Sequence, residues 1–130
     1  RLPLRRAAAA RPPGLVLLVE DSPDLRSTLR DMLRGAGHSV IEAASVDEAA
    51  ALIANLPEIS AVLSDIVLEV NRPGIDLARL PRRGDCALVL MTSLPPDDPL
   101  HRQAADLAPV LRKPFSAAQL DAALNTGAQP

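Results

Sequence analysis

Aromatic side chains are almost missing from this chain: Phe115 is the only one, with no Trp and no Tyr in 130 residues. Binders that stack single-stranded bases need a series of such platforms, so that class is excluded. Cysteine is nearly as scarce. Cys86 alone forms no internal disulfide, which agrees with a reducing cytoplasm, the expected location. No charge of either sign dominates either: 14 Lys and Arg against 16 Asp and Glu leave a net charge of −2. That provides no basic field for nucleic acid and no acidic tail of the kind found in disordered chains. Long hydrophobic runs are absent too, since nothing approaches the roughly 20 apolar residues that span a bilayer. The expectation is therefore a protein that uses neither nucleic acid nor membrane as a partner. What is present is 48% hydrophobic content in a length that suits one domain with a real core.

Arg1 to Pro13 is rich in Arg, Ala and Pro and has no apolar periodicity. It reads as a disordered or linker-like extension ahead of a domain over 14–126, with 127–130 as a tail. Its charge resembles that of a signal peptide, but the apolar run Leu15 to Val19 has five residues and meets Glu20-Asp21 at once.

From Leu15 onward the pattern alternates strand and helix. Ser22-Pro23 supplies an N-cap and a proline at the first helical position, and Leu25, Leu29, Met32, Leu33 and Ala36 recur at helical spacing up to Gly37. His38 to Ala43 is a short strand. Ser45 and Glu48 form a capping box for a helix burying Val46, Ala49, Ala50, Ile53 and Leu56, which Pro57 stops. After the apolar run Ala61 to Asp65, a short helix is expected over Gly74 to Leu80. Cys86 to Met91 is a fourth strand, Asp98-Pro99 caps a helix to about Leu107, and Pro109 to Arg112 is a fifth strand. Ser116 and Gln119 repeat the capping box for a last helix through Leu120 and Leu124. Five strands alternating with helices imply a doubly wound α/β fold, a parallel sheet covered on both faces, through right-handed crossovers.

In such a sheet ligands collect outside the carboxyl ends of the strands. Four apolar runs here end on chemistry: Glu20-Asp21, Asp65, Thr92 and Lys113. Taken alone, each has a plain explanation. Asp65 can begin an Asx-turn, the acid pair can face a helix dipole, Thr92 can cap a strand end, and Lys113 can be a solvated cation. Their joint occurrence at one sheet edge is what those explanations leave over. His38 and His101 lie away from the strand ends and read as surface or packing residues.

The set Val19-Glu20-Asp21, Ser64-Asp65, Met91-Thr92-Ser93 and Arg112-Lys113-Pro114-Phe115, in this order, resembles the receiver domains of two-component response regulators. Asp65 lies 44 residues after Asp21, Thr92 follows it by 27, and Lys113 follows Thr92 by 21. The resemblance spans Leu15 to about Asn125. It implies a flavodoxin-like fold with strand order 2-1-3-4-5, and Asp65 as the residue that accepts a phosphoryl group. Mg²⁺ would be the cofactor, held directly by Asp21 and Asp65, partly through water by Glu20, and by the backbone carbonyl of Val67. Thr92 and Lys113 would contact the phosphoryl oxygens. The implied partners are a sensor histidine kinase or a histidine phosphotransfer protein and a downstream protein that reads a surface change, with a homodimer as a further option. The implied role is regulatory, the only catalysis being the domain's own phosphorylation and dephosphorylation. The Lys113-Pro114 bond resembles the family's usual cis peptide, and the Arg112 to Phe115 ending resembles receivers linked to hybrid kinases.

The departures from the family are specific. Glu69 stands four residues after Asp65 where the family usually has Pro, and Gly74 stands nine after, not eight, so the loop Val67 to Gly74 reads as one residue longer. Val110 occupies the position of the usual Tyr or Phe, and a valine cannot perform the inward rotation of a large ring. Val67 and Leu94 are apolar where receivers tune the water that attacks the acyl phosphate. Two other enzyme-like classes lack their marks: an aspartate phosphatase wants a second acid where Val67 stands, and a dinucleotide-binding domain wants a Gly-rich turn where Glu20 to Pro23 stands. The remaining alternative is a pseudo-receiver that keeps the fold and acts only as a protein-binding module.

Overall fold

The computed structural model describes residues 14–68, 73–81 and 84–127. The readings of Arg1 to Pro13 as an extension and of Glu69 as a substituted loop position lie outside the described residues. The element order is β1 (Leu15–Val19), α1 (Pro23–Gly35), β2 (Ser39–Ala43), α2 (Val46–Asn55), β3 (Ile59–Asp65), a 3₁₀ helix (Gly74–Arg79), β4 (Ala87–Thr92), α3 (Pro99–Leu107), β5 (Val110–Arg112) and α4 (Ala117–Gly127). The strands form one parallel sheet in the order β2-β1-β3-β4-β5, as the resemblance leads one to expect.

The short helix expected over Gly74 to Leu80 is present as a 3₁₀ helix, Gly74–Arg79. Its six residues follow Pro73, which cannot donate a backbone hydrogen bond, and tight three-residue turns suit such short connectors. The last helix runs to Gly127, into what reads as tail.

Alternation along each strand divides the core into two layers. Val16, Leu18, Ala61, Leu63, Ala87, Val89 and Met91 point to the side covered by α1 (Leu29, Leu33) and α4 (Leu120, Leu124). Leu17, Val19, Val62, Leu88 and Leu90 point to the other side, under α2 (Val46, Ala49), the 3₁₀ helix (Ile75, Leu77) and α3 (Ala104). This is why β1 and the centres of β3 (Ala61 to Leu63) and β4 (Ala87 to Met91) are apolar runs: each is buried on both faces. Val110, at the family's aromatic position, packs into the second layer as an ordinary half-buried aliphatic residue.

The helix ends hold as their sequences require. Ser22 Oγ accepts from Leu25 N–H at 3.4 Å, Asp98 Oδ1 from Leu100 N–H at 2.8 Å, and Ser116 and Gln119 bond reciprocally at 3.1 and 2.8 Å. At Ser45 the box is offset: Glu48 N–H donates to Ser45 Oγ, but the Glu48 carboxylate accepts from Ala44 N–H, one residue before the cap. Gly37, at φ 97°, terminates α1, with Gly37 N–H on Arg34 O and His38 N–H on Leu33 O, the Schellman pair of bonds.

Candidate functional site

Strand register brings the polar ends to one line. Val19 is level with Ser64, so the next residues, Glu20 and Asp65, leave the sheet side by side; Asp65 is level with Met91, and Thr92 with Arg112. All four runs therefore end at the same edge. Glu20, Asp65 and Thr92 are nearly inaccessible, at 2%, 7% and 1% of full exposure, and with Ser64 they are the buried polar residues among those described.

Lys113 closes this corner. Its Nζ lies 2.5 Å from Asp65 Oδ2 and 3.4 Å from Glu20 Oε1. The Lys113-Pro114 peptide is cis, as the resemblance leads one to expect. Lys113 N–H donates to Thr92 O at 2.8 Å, which ties the cation's backbone to the hydroxyl-bearing residue. The other Asp65 oxygen, Oδ1, accepts from Val67 N–H at 2.9 Å, so each carboxylate oxygen has one fixed donor. Thr92 Oγ1 accepts from Leu94 N–H at 3.0 Å, and its own O–H remains as a donor toward the edge. Glu20 Oε2 accepts from Ser22 N–H at 3.1 Å.

Two inward carboxylates share one ammonium, and the charge balance shows in Glu20. Burial pushes its carboxyl up to about 7; the nearby Asp65 carboxylate adds to the rise, while Ser22 N–H and Lys113 oppose it. A hard divalent cation would relieve that surplus of negative oxygen, and Mg²⁺ takes one or two carboxylates with several waters. The donor set therefore fits Mg²⁺. Among the described residues no three Asp, Glu, His or Cys side chains are already gathered as a metal cage. Asp21, expected as a direct ligand, follows Glu20 at the same edge but does not join Glu20 and Asp65 as a preformed third carboxylate. A Mg²⁺ that keeps its waters does not need such a cage.

The sign of the pH effect follows from the direction of the shift. A carboxyl whose pKa is raised from 4.5 to about 7 by folding favours the folded state below 4.5, and that contribution is lost as pH rises through 7. Metal-free protein should therefore lose stability between about pH 5 and pH 7.5, by at most on the order of 3 kcal/mol from this group. Denaturant titrations in EDTA across that range check it: Glu20→Gln should flatten the slope, and an equal slope in both proteins would remove Glu20 as its source.

Gly74 is a site residue through its backbone. A Cβ there would lie 1.7 Å from the Asp65 carbonyl oxygen and 2.8 Å from Ser64 Oγ, while Gly74 N–H donates to Ile66 O at 3.1 Å. Gly74 thus lies against the end of β3, and only glycine permits the approach. Gly74→Ala should destabilise the domain by about 2 kcal/mol or more, since backbone has to move; chemical denaturation midpoints measure this, and an unchanged midpoint would mean that the loop simply swings away.

Three further features were not read from the sequence. Arg26 Nη1 donates to Glu20 O at 2.8 Å. His101 is a packing residue whose Nδ1 lies 3.0 Å from Leu94 O, which makes Nδ1 the donor and ties α3 to the loop carrying Leu94. An apolar groove of about 400 Å³ opens beside Lys113 and Ser93, between α1 and the turn bearing Phe115. Helical spacing placed Leu25 and Met32 on the face of α1 that forms this groove, but nothing local to Arg26 or His101 indicates a backbone carbonyl as partner.

A doubly wound α/β domain with buried acids, a hydroxyl and a lysine at the carboxyl edge of its sheet is the class of protein defined so far. Residues 16–125 match the response regulator receiver domain family, and the chain belongs to that family. Similar solved structures include the receiver domain of a sensor histidine kinase from Pseudomonas aeruginosa PAO1, with a magnesium ion coordinated in its active-site cleft, at 23% identity and a TM-score of 0.75 over 89% of this chain and 98% of that one. The signal receiver domain of a modulated diguanylate cyclase from Desulfovibrio desulfuricans G20 is 25% identical, with a TM-score of 0.72 over 89% and 94%. A response regulator from Burkholderia pseudomallei with a phosphorylated aspartic acid, a calcium ion and citrate is 23% identical, with a TM-score of 0.73 over 87% and 67%. Comparison with curated proteins gave no match. No helix among the described residues is long and apolar enough to cross a membrane.

Proposed function

We propose that this receiver domain is an active phosphoacceptor, and that Asp65 takes a phosphoryl group from the phosphohistidine of a sensor histidine kinase or a histidine phosphotransfer protein. The observation that carries this reading is the fixed state of the Asp65 carboxylate: Lys113 Nζ on one oxygen, Val67 N–H on the other, and Thr92 beside them at the same edge. In the reaction an Asp65 oxygen forms a bond to phosphorus, the phosphorus–nitrogen bond breaks, and its electron pair stays on the imidazole, leaving an acyl phosphate.

Such a transfer asks for positioning and charge stabilisation more than for proton chemistry. Lys113 follows the charge from the carboxylate to a phosphoryl oxygen, and the Thr92 O–H donates to another. Mg²⁺, held by Asp21, Asp65, the Val67 carbonyl and, through water, Glu20, would supply positive charge to the phosphoryl oxygens. The metals recorded in the Pseudomonas and Burkholderia structures, and the phosphorylated aspartic acid of the latter, support the same assignment here.

Output is a surface change read by a downstream protein. The groove supports a protein donor, since its mainly apolar lining includes Lys113, the residue paired with Asp65. A cytoplasmic location fits a histidine kinase as partner. Incubation with acetyl phosphate and Mg²⁺, followed by intact-mass measurement, tests the reading: one phosphoryl increment that EDTA prevents is expected. No increment at any Mg²⁺ concentration would leave the protein-binding pseudo-receiver.

A further inference from the structure

Building on the phosphoacceptor reading, we propose that Arg26 is a positioning residue for the metal site: it fixes the Glu20-Asp21 peptide so that the acid pair presents its oxygens to a divalent cation, and Glu42 fixes Arg26. The acid pair lies in the short link between Val19, where β1 ends, and Pro23, where α1 begins. Neither the sheet ladder nor the helix holds that link by itself. Glu20 is nevertheless held at both backbone polar groups: its N–H donates to Ala43 O of β2 at 3.0 Å, and its C=O accepts from Arg26 Nη1 at 2.8 Å. With the side chain bonded to Ser22 N–H and Lys113, the residue has little rotational freedom left, and the direction of the following Asp21 is set with it.

Arg26 is itself clamped. Its Nε is 3.0 Å from Glu42 Oε1, and Arg30 Nη1 lies 3.5 Å from Glu42 Oε2. This pairing gives the arrangement its chemical sense. A guanidinium with its charge unopposed would compete with a metal for the carboxylates beside it. Paired with Glu42, it serves as a hydrogen-bond fork aimed at a carbonyl. Only arginine can make both contacts at once, because its donors sit in a rigid planar array, whereas a lysine ammonium is a point donor on a flexible stem.

The test is isothermal titration of Mg²⁺ into wild type, Arg26→Ala and Arg26→Lys above the Glu20 pKa, with melting of each protein in EDTA and labelling by acetyl phosphate as a function of Mg²⁺. Partners that orient metal ligands are worth about 10- to 100-fold in affinity. Arg26→Ala should raise the Mg²⁺ dissociation constant about tenfold or more. Arg26→Lys should fall between it and wild type. The metal-free melting temperature should barely move, and saturating Mg²⁺ should restore the labelling rate, a split that a merely structural role would not produce. A dissociation constant within about twofold of wild type in Arg26→Ala, or labelling that saturating Mg²⁺ fails to restore, would overturn the inference. If wild type itself bound no Mg²⁺, the phosphoacceptor reading would fall, and the role of Arg26 with it.

Discussion

Asp65→Asn should give a folded domain that takes no label from acetyl phosphate or from a phosphorylated histidine donor. The substitution keeps the shape of the side chain, and its amide oxygen can still accept from Val67 N–H, the contact that Asp65 Oδ1 makes at 2.9 Å. What it removes is the anionic oxygen facing Lys113 Nζ. Without that nucleophile no acyl phosphate can form, so the loss should be complete and not graded. Stability should change little. The corner loses an ion pair with Lys113, but it also loses one of the two negative charges that share that cation, and Lys113 keeps Glu20 within 3.4 Å. Intact mass and circular dichroism on the same sample separate the two effects: labelling of Asp65→Asn at the wild-type rate, with an acid-stable product, would place the acceptor elsewhere.

The second large effect concerns how long the acyl phosphate survives. Its hydrolysis needs a water in line with the bond to be broken, and an orienting polar group can speed such a step substantially. Val67 is apolar, 50% exposed and bonded to Asp65 through its own N–H, so its side chain offers an attacking water no hydrogen-bond partner. Leu94, to which the resemblance gives a similar role, is partly buried against the core layer under α2 and α3, and its N–H donates to Thr92 Oγ1. The larger effect is therefore expected at Val67. Phosphorylated wild type should decay slowly after removal of the donor, while Val67→Glu or Val67→Asn should decay on the order of tenfold faster. Leu94→Asn should have a smaller effect. Following the phosphorylated fraction by intact mass in Mg²⁺ tests all three, and wild-type decay within seconds, or no acceleration in either Val67 variant, would refute the idea. A persistent phosphoryl group suits a relay or a sustained signal, with transfer back to a histidine as a competing exit.

The site's chemistry could be read along the chain because burial of a parallel sheet on both faces leaves a local mark. Leu15 to Val19, Ala61 to Leu63 and Ala87 to Met91 are each buried on both faces, so they appear as unbroken apolar runs, and the polar residue that ends each run marks the sheet edge. The caps Ser22, Ser45, Asp98 and Ser116 are likewise local, since a helix N-terminus is satisfied by side chains within three residues. Residue types and order were thus enough to suggest both the doubly wound fold and the set of Glu20, Asp21, Asp65, Thr92 and Lys113.

Other features depended on parts of the chain far apart in sequence. That Gly74 must be glycine follows from the Asp65 carbonyl lying against it, not from any turn signal around it. Burial, with the Asp65 carboxylate at the end of the neighbouring strand adding to it, pushes the Glu20 carboxyl up to about 7 against the opposing Ser22 N–H and a lysine 93 residues away. Arg26 meets Glu20 and Glu42 only because α1 packs back across β1 and β2. Sequence by itself determined the elements, their caps and the polar residues at their ends, since these answer to interactions within a few residues. Tertiary structure alone decided which carboxylates share a cation, which backbone needs glycine and which carbonyl Arg26 meets, because hydrogen bonds, charge and burial act through space.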